Sequence, residues 1–587
     1  MNGRTERTLF FAFALLVFVY LILRAVLVPL TYDEAATFQT YVLTGRFLPF
    51  LSHWDAGNHL LITAIGRATY LLFGAQPMAV RSFALLCFAL QAWYTWRITR
   101  SLNAEVVRWC AMAALLFTPF LIEFFALFRG YGPSLAFMLM ALYHTMRYAT
   151  DGGRTHVIAA LVALSLATFA SLSVLVICGL LLVIIAVTTL LKHRRDGLAW
   201  LAWMGLGALP LAFATCYGME LSERGLLYYG SEEGLVKGTL GSLAIWVVGI
   251  DLPFAQVLLG IAFAALLGWL IVEAIRKRNV ILMVLAILIV GELLARWVMG
   301  TFLGVLYPMD RTAMHLIPLI VLAFAFLLDG LAQAQHRWAY VSLLLLGLPL
   351  HAAVEANVDH TAYWPEQAIP TEVFQLVAER QATMDRPLLI AGYRQNPRAW
   401  IYGAAIRDLP LNFLDDAGFP QPTCDLMIID PDFFKRPPGF HALFAAPHGR
   451  MELLERDAPL QTRVALDTTR VFGSSDAEFV ELWSPDPSTL NGKEHLVELD
   501  AQITAEHEPL ELRLVVEAKD AQGNGLHYDV IDIEDQRTQW HGDGLHILRR
   551  LPAFKDPPSR VVVYLWGPQR QTYAIDKLRL IVHEVQP

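Results

Sequence analysis

Residues 9–38 read LFFAFALLVFVYLILRAVLVPLTYDEAATF. The stretch up to Leu30 is apolar apart from Arg24. At ~1.5 Å of rise per residue it is long enough to cross the ~30 Å of hydrocarbon in a bilayer. It is too long for a signal-peptide core and lacks a small-residue cleavage site, so it reads as a retained anchor. Two carboxylates, Asp33 and Glu34, follow directly on the exit. Neutral polar residues or aromatics are commoner at such a place, so the acidic pair asks for a reason.

The rest of the chain extends the pattern. Of 587 residues 56% are hydrophobic and 17% charged, with mean hydropathy +0.46. This is too apolar for an ordinary soluble enzyme and too long for one domain. Long apolar runs recur near 9–30, 79–98, 106–126, 131–149, 156–170, 173–191, 198–218, 254–275, 279–299, 312–330 and 337–353. We therefore expect an α-helical polytopic membrane domain of about eleven spans over residues 1–353. Beyond 353, charge, proline and strand-like alternation take over. A net charge of −8 gives no nucleic-acid footprint. Cys87, Cys110, Cys178 and Cys216 lie in apolar segments and Cys424 stands alone, with no C-x-x-C pair, so cysteine usage does not indicate a compartment.

Alternate connections carry cations: Arg4 and Arg7, then Arg97, Arg100 and Arg108, then Arg147 and Arg154, then KHRRD (192–196), RKR (276–278) and Arg337. The positive-inside rule places these in the cytoplasm with the N-terminus. The chain is expected in the cytoplasmic (inner) membrane. Residues 31–78, 219–253, 300–311 and all that follows 353 then lie outside. The short join between 156–170 and 173–191 decides this parity, because one bent span there would break it. The outer connections hold Asp33, Glu34, His53, Asp55, His59, Arg129, Asp310 and Arg311. Chemistry is expected on that face, where nucleotide-activated donors are absent and a membrane-borne activated donor is needed.

Several stretches, in order, carry a resemblance. YDEA (32–35) is similar to the acidic motif in the first external loop of GT-C type glycosyltransferases, the superfamily of protein O-mannosyltransferases and lipid A aminoarabinose transferases. GNHLLITAIGRATYLLFG (57–74) and AVRSF (79–83) resemble the amphipathic part of that loop and the next span's entry. TPFLIEFFALFRGYGPSLAF (118–137) resembles the Pro-then-Arg-x-Tyr stretch, and YPMDRTAMHLIPLI (307–320) a late motif whose Arg lies near the lipid phosphate. The resemblance covers roughly the first 350 residues. It implies a polyprenyl-phosphate-linked sugar donor, an envelope glycan, lipid or protein as acceptor, and a lipid bilayer as surroundings. One departure stands out: Gly57-Asn58-His59-Leu60 occupies the place of a Glu-Lys-Pro-Pro stretch in aminoarabinose transferases, which puts acceptor and metal site in question.

Transfer from a polyprenyl phosphate needs one base on the nucleophile and cations on a leaving group that is already a good anion. Asp33 is the candidate base. Glu34 is expected to orient it, bind acceptor or ligate a metal; the plainer reading is a polar cap on the next segment. His53, Asp55 and His59, seven positions end to end, can hold a divalent cation or sit as interfacial polar residues. Asn58, Tyr131 and Tyr307 join the candidate substrate contacts. Arg311, Arg129 and Arg81 are candidates for the donor phosphate, whose oxygens suit a guanidinium fork, or else they snorkel to headgroups. Glu292 and Arg296, four apart, read as a structural pair or as part of a donor cavity.

The outer region reads in two parts. Residues 354–485 alternate helical and strand patterns, an α/β domain. Residues 486–587 carry evenly spaced strands with turns such as DAQGNG (520–525), a jelly-roll-like β-sandwich. The sequence therefore reads as an outward-facing membrane glycosyltransferase. The competing classes are a transporter or flippase of lipid-linked sugars, and a non-enzymatic envelope scaffold with a carbohydrate-binding module. A transporter would show repeated halves with broken helices, and no repeat is visible.

Overall fold

The computed structural model describes all residues except 1–2, 194–196, 250, 393–396, 416–420, 448–449, 491, 507–509, 534–543 and 587, and the side chains of 197–203 and 206. Three residues of the KHRRD connection, Arg194, Arg195 and Asp196, thus lie outside the described residues. The chain forms two compact units, Met1–Val28 with Thr40–Val358, and Pro29–Gln39 with Asp359–Pro587.

The first unit is helical. All eleven apolar stretches fall on helices, from Gly3–Leu27 to His336–Val354. Among the described residues, five are long and apolar enough to cross a membrane: Gly3–Leu27, Leu172–Lys192, Pro253–Lys277, Val280–Leu303 and His336–Val354. Glu105–Leu116 and Pro119–Phe125, bent by 50°, make a sixth if counted as one span. Pro119 at the first helical position sets that bend, since proline starts a helix but cannot continue the one before it. Arg154–Ala170 and Leu316–Ala332 have only 17 residues each, which is short for a full crossing. The expected eleven spans are therefore eleven helical stretches, of which five or six qualify by length and composition.

Two charges inside apolar helices are paired. Arg24 of the first helix donates to Glu123 at 2.9 Å and to the Asn357 carbonyl at 2.8 Å, tying the unit's start to its end. The expected join between 156–170 and 173–191 is a true break: Ser171 is extended (φ −157°, ψ 132°), and a short 3₁₀ turn precedes Leu175–Lys192.

The second unit joins a mixed sheet to a sandwich. Ile390–Ala391 lies between Leu414–Asp415 and Leu426–Ile429 in parallel, and Glu452–Arg456 and Phe440–Ala445 extend the sheet antiparallel. The sandwich has a four-stranded antiparallel sheet (Gly525–Asp532, Arg513–Lys519, Arg560–Trp566, Phe479–Trp483) and a second one (Gly544–Leu551, His495–Ala505, Tyr573–Val585, Thr462–Arg470, with Gly473–Ser475 on the third). Val497, Leu499 and Ile503 from one sheet meet Leu514, Val516 and Val563 from the other, the alternation that a two-sheet core requires. The boundary expected at 485 is corrected by this pairing, because Thr462–Arg470 and Phe479–Trp483 are sandwich strands. Nor are the two parts separate: Asn412 Nδ2 donates to the carbonyls of Leu388 and Leu548, both at 3.0 Å, across a shared apolar contact that includes Leu389, Met427, Leu496 and Leu548.

Candidate active site

The acidic pair belongs to the second unit. Thr31 caps the helix Tyr32–Thr37 in a capping box: its hydroxyl accepts from the Glu34 amide, and Glu34 Oε2 accepts from the Thr31 amide at 3.0 Å. Glu34 is fully buried in that task. One of its carboxylate oxygens is thus used in a reciprocal cap, the plainer of the two expectations. Asp33 is half-buried in the helix's first turn, where a carboxylate suits the helix dipole. The segment is anchored on Pro397–Ala405 and its approach: Tyr32 N donates to Gln367 Oε1 at 3.0 Å, Gln39 Nε2 to the Arg398 carbonyl at 3.1 Å, and Phe38 meets Tyr402 edge-on at 5.2 Å.

The other candidates lie in the helical unit. Asp55 Oδ1 accepts from Gly57 N at 2.8 Å, forming a tight turn. Asn58 is buried, donating to the Phe47 carbonyl and accepting from Thr63. This turn delivers His59 to the start of the helix Leu60–Phe73. The buried His59 ring packs edge-on against Tyr131 at 5.0 Å, and Tyr131 OH accepts from Arg311 Nε at 3.3 Å. Arg129, also buried, donates to the Gly57 carbonyl at 3.3 Å. Burial, then the charges of Arg129 and Arg311, push the His59 imidazole well below its usual range, so the ring is neutral. Asn58, His59, Arg129, Tyr131 and Arg311 thus form one cluster. Nearby, Tyr41 donates to the His53 carbonyl at 3.1 Å, and burial with Asp55 raises its phenol.

Sequence reasoning missed what supports Arg311. Its guanidinium lies over the Tyr229 ring at 4.0 Å, and Tyr229 OH donates to Asp310 at 2.8 Å. Asp310 adopts φ +47°, and its amide donates to Ser242 at 2.9 Å. Tyr229 and Ser242 belong to the connection after residue 219, whose charges alone drew notice; an aromatic near a cation in sequence-distant loops leaves no local signal.

Three candidates stand elsewhere. Arg81 is fully buried and donates to the Ala25 and Val28 carbonyls at 3.2 and 2.7 Å, closing the end of the first helix, so its observed task is structural. His53 is exposed. Tyr307 pairs through its backbone with Ser231, and its ring lies against Gly300. Among the described residues no three His, Cys, Asp or Glu gather to hold a metal. His53, Asp55 and His59 are engaged separately: Asp55 closes its own turn, His59 packs on Tyr131 and His53 is exposed. Glu292 and Arg296 do pair, at 2.8 Å, with His315 on the same carboxylate oxygen at 2.8 Å and Arg296 on the Ser173 carbonyl at 2.7 Å.

A bundle of apolar helices with buried arginines, joined to a β-rich unit, defines a polytopic membrane protein. The sequence matches no protein-family model and no curated protein. Among solved structures the chain is similar to ArnT from Cupriavidus metallidurans, both in the apo state (15% identity, 77% of this chain and 98% of that one, TM-score 0.46) and bound to undecaprenyl phosphate (14%, 77% and 98%, TM-score 0.47). It is also similar to the arabinosyltransferase EmbB from Mycobacterium smegmatis (12% identity, 98% of this chain and 64% of that one, TM-score 0.32). Similarity at this level assigns no residue its role.

Proposed function

We propose that the chain is a membrane glycosyltransferase that moves a sugar from a polyprenyl-phosphate-linked donor to a glycan, lipid or protein acceptor on the outer face of the membrane. The observation that carries this reading is the cluster of buried Arg129, Tyr131 and neutral His59 with half-buried Arg311. Two guanidinium groups beside an uncharged imidazole, in a poorly hydrated place, suit a phosphate diester. The order of sequence motifs supports the same class.

In this reading Arg311 and Arg129 hold the donor phosphate and stabilise the charge that grows on it as the glycosidic C–O bond breaks. Tyr131 and Tyr229 position Arg311. Asp33 takes the proton from the acceptor nucleophile as the new bond forms. Glu34 holds the turn that carries Asp33.

The test uses the full chain in lipid nanodiscs, with polyprenyl-phosphate sugars as donors and envelope extract as acceptor. Acceptor-dependent release of free polyprenyl phosphate, abolished in Arg311→Ala, is the expected result. Release that is absent in the wild type, or unchanged in Arg311→Ala, overturns the reading.

A further inference from the structure

A notch of about 10 Å³ is lined by Asn58, His59, Thr168, Ser171 and Tyr217 among others, with no arginine among the described residues of its wall. That is room for one hydroxyl-sized group and too little for a phosphate. Most polar atoms on its wall are used. Asn58 is hydrogen-bonded at both ends of its amide, Thr168 donates to the Leu164 carbonyl, and the Ser171 hydroxyl meets Ser173 at 2.9 Å. His59 Nε2 is buried with no hydrogen-bond partner.

The other ring nitrogen explains which way the lone pair points. Ser171 ends a helix in extended conformation, which leaves the Ala170 carbonyl in need of a donor, and His59 Nδ1 and that carbonyl both lie against Gly130. With Nε2 buried and unpartnered, the neutral ring is assigned its proton on Nδ1, the nitrogen on the carbonyl's side. Gly130 permits the approach: a Cβ there would stand 1.7 Å from Ala170 O and 2.8 Å from His59 Nδ1. Arg129 and Arg311 disfavour a second proton on the ring. Nε2 is therefore an acceptor only. A deprotonated phosphate oxygen has nothing to donate to it, whereas a sugar hydroxyl does.

We infer that His59, which lines this notch, is a specificity-determining residue whose buried Nε2 accepts a hydrogen bond from one hydroxyl of the transferred sugar. The inference rests on the transferase reading above. Arginines that hold the donor phosphate keep the attached sugar ring within reach, which favours the donor over the acceptor as the source of that hydroxyl. A buried acceptor left unpaired penalises a donor that lacks the hydroxyl, so the notch acts as a filter.

The experiment uses the full chain in nanodiscs and a panel of polyprenyl-phosphate sugars, each complete or lacking one ring hydroxyl. In the wild type, loss of one particular hydroxyl is expected to lower kcat/KM roughly 10–100-fold, the range for an unsatisfied buried acceptor. His59→Phe should lower the complete donor by a similar factor and erase the difference between complete and deoxy donors. His59→Gln, which keeps an acceptor oxygen, should retain part of the discrimination. Binding of polyprenyl phosphate without sugar should change less than about 2-fold in both variants, a readout that a phosphate ligand would move. The inference is overturned if the discrimination survives in His59→Phe, if sugar-free polyprenyl phosphate loses affinity as strongly as the complete donor, or if no hydroxyl matters in the wild type and the notch holds water only. A wild type that transfers from no donor overturns the transferase reading itself, and this inference with it.

Discussion

Two neighbouring carboxylates divide their work by geometry. Glu34 reaches back to Thr31, and the signal was present in the sequence: Thr31-Tyr32-Asp33-Glu34 is a T-x-x-E capping box. Attention to charge hid it, because the two acids look alike until the helix start is located. Glu34→Gln should leave folding and transfer close to wild type, since glutamine serves in the same box; loss of activity together with chelator sensitivity would instead place Glu34 on a metal. In the proposed mechanism Asp33 is the base. In Asp33→Asn, transfer should fall at least ~100-fold while donor binding holds, the lower range for losing a general base. Near-normal transfer in that variant would reduce the pair to a polar helix start. Arg311→Ala should weaken donor binding by ~1.5–3 kcal/mol, as for a hydrogen bond to a charged group, measured by titration of the nanodisc-embedded chain with lipid phosphate. Arg311→Lys should recover only part, because the fork that lies over Tyr229 is lost.

At the level of elements, apolar runs marked eleven helical stretches of the first unit, though not Leu60–Phe73 or the turns of Leu235–Val248, because a run of apolar residues in lipid has few other ways to satisfy its backbone. It could not show which of them are bent or broken. The break at Ser171 has no proline or glycine to announce it in TFASLSVL (168–175). It is stabilised from outside, by Arg296 on the Ser173 carbonyl, and His59 lies beside the Ala170 carbonyl. Both partners are distant in sequence, which is why the parity of the spans could not be read there. Irregular backbone at such depth persists only where protein groups satisfy it. Gly130→Ala tests how tightly the break is held. The added Cβ meets a backbone carbonyl at 1.7 Å, which no rotamer change relieves. Thermal unfolding should show a loss of ~1–3 kcal/mol, the usual cost of overpacking. Unchanged stability would mean the break moves freely.

At the scale of the molecule, the strand pattern of the last hundred residues was legible, but the boundary at 485 was not. Thr462–Arg470 and Phe479–Trp483 pair with strands about a hundred residues later, and register between distant strands leaves no mark in either one. Within this unit, Glu498 accepts from His546 and His583, each at 2.7 Å. Burial alone would raise the carboxyl, but those two hydrogen bonds outweigh it and lower it from 4.5 to about 2. A lowered carboxylate stabilises the fold above its unfolded value and loses that contribution as pH falls toward the folded one. Unfolding of the β-rich unit, followed by circular dichroism, should therefore grow easier between pH ~4.5 and ~2, and Glu498→Gln should flatten that dependence.

The same unit bears on the membrane. Pro29–Gln39 folds with Asp359–Pro587, and a compact unit built on shared hydrogen bonds cannot have a bilayer drawn through it. The acidic segment and the C-terminal region must then share one side. The apolar run of Gly3–Leu27 enters directly before that segment, and Arg4 and Arg7 at its start favour the cytoplasm. We propose on this basis that residues 31–78 and 353–587 lie outside, opposite the basic connection at 192–197. Reporter fusions ending after residues 75 and 400 should both be active on the outer side, and one ending after residue 193 on the cytoplasmic side. A cytoplasmic result at residue 400 would remove Asp33 from the outer face as well, because the two are bound into one folded body, and with it the need for a donor that arrives through the membrane.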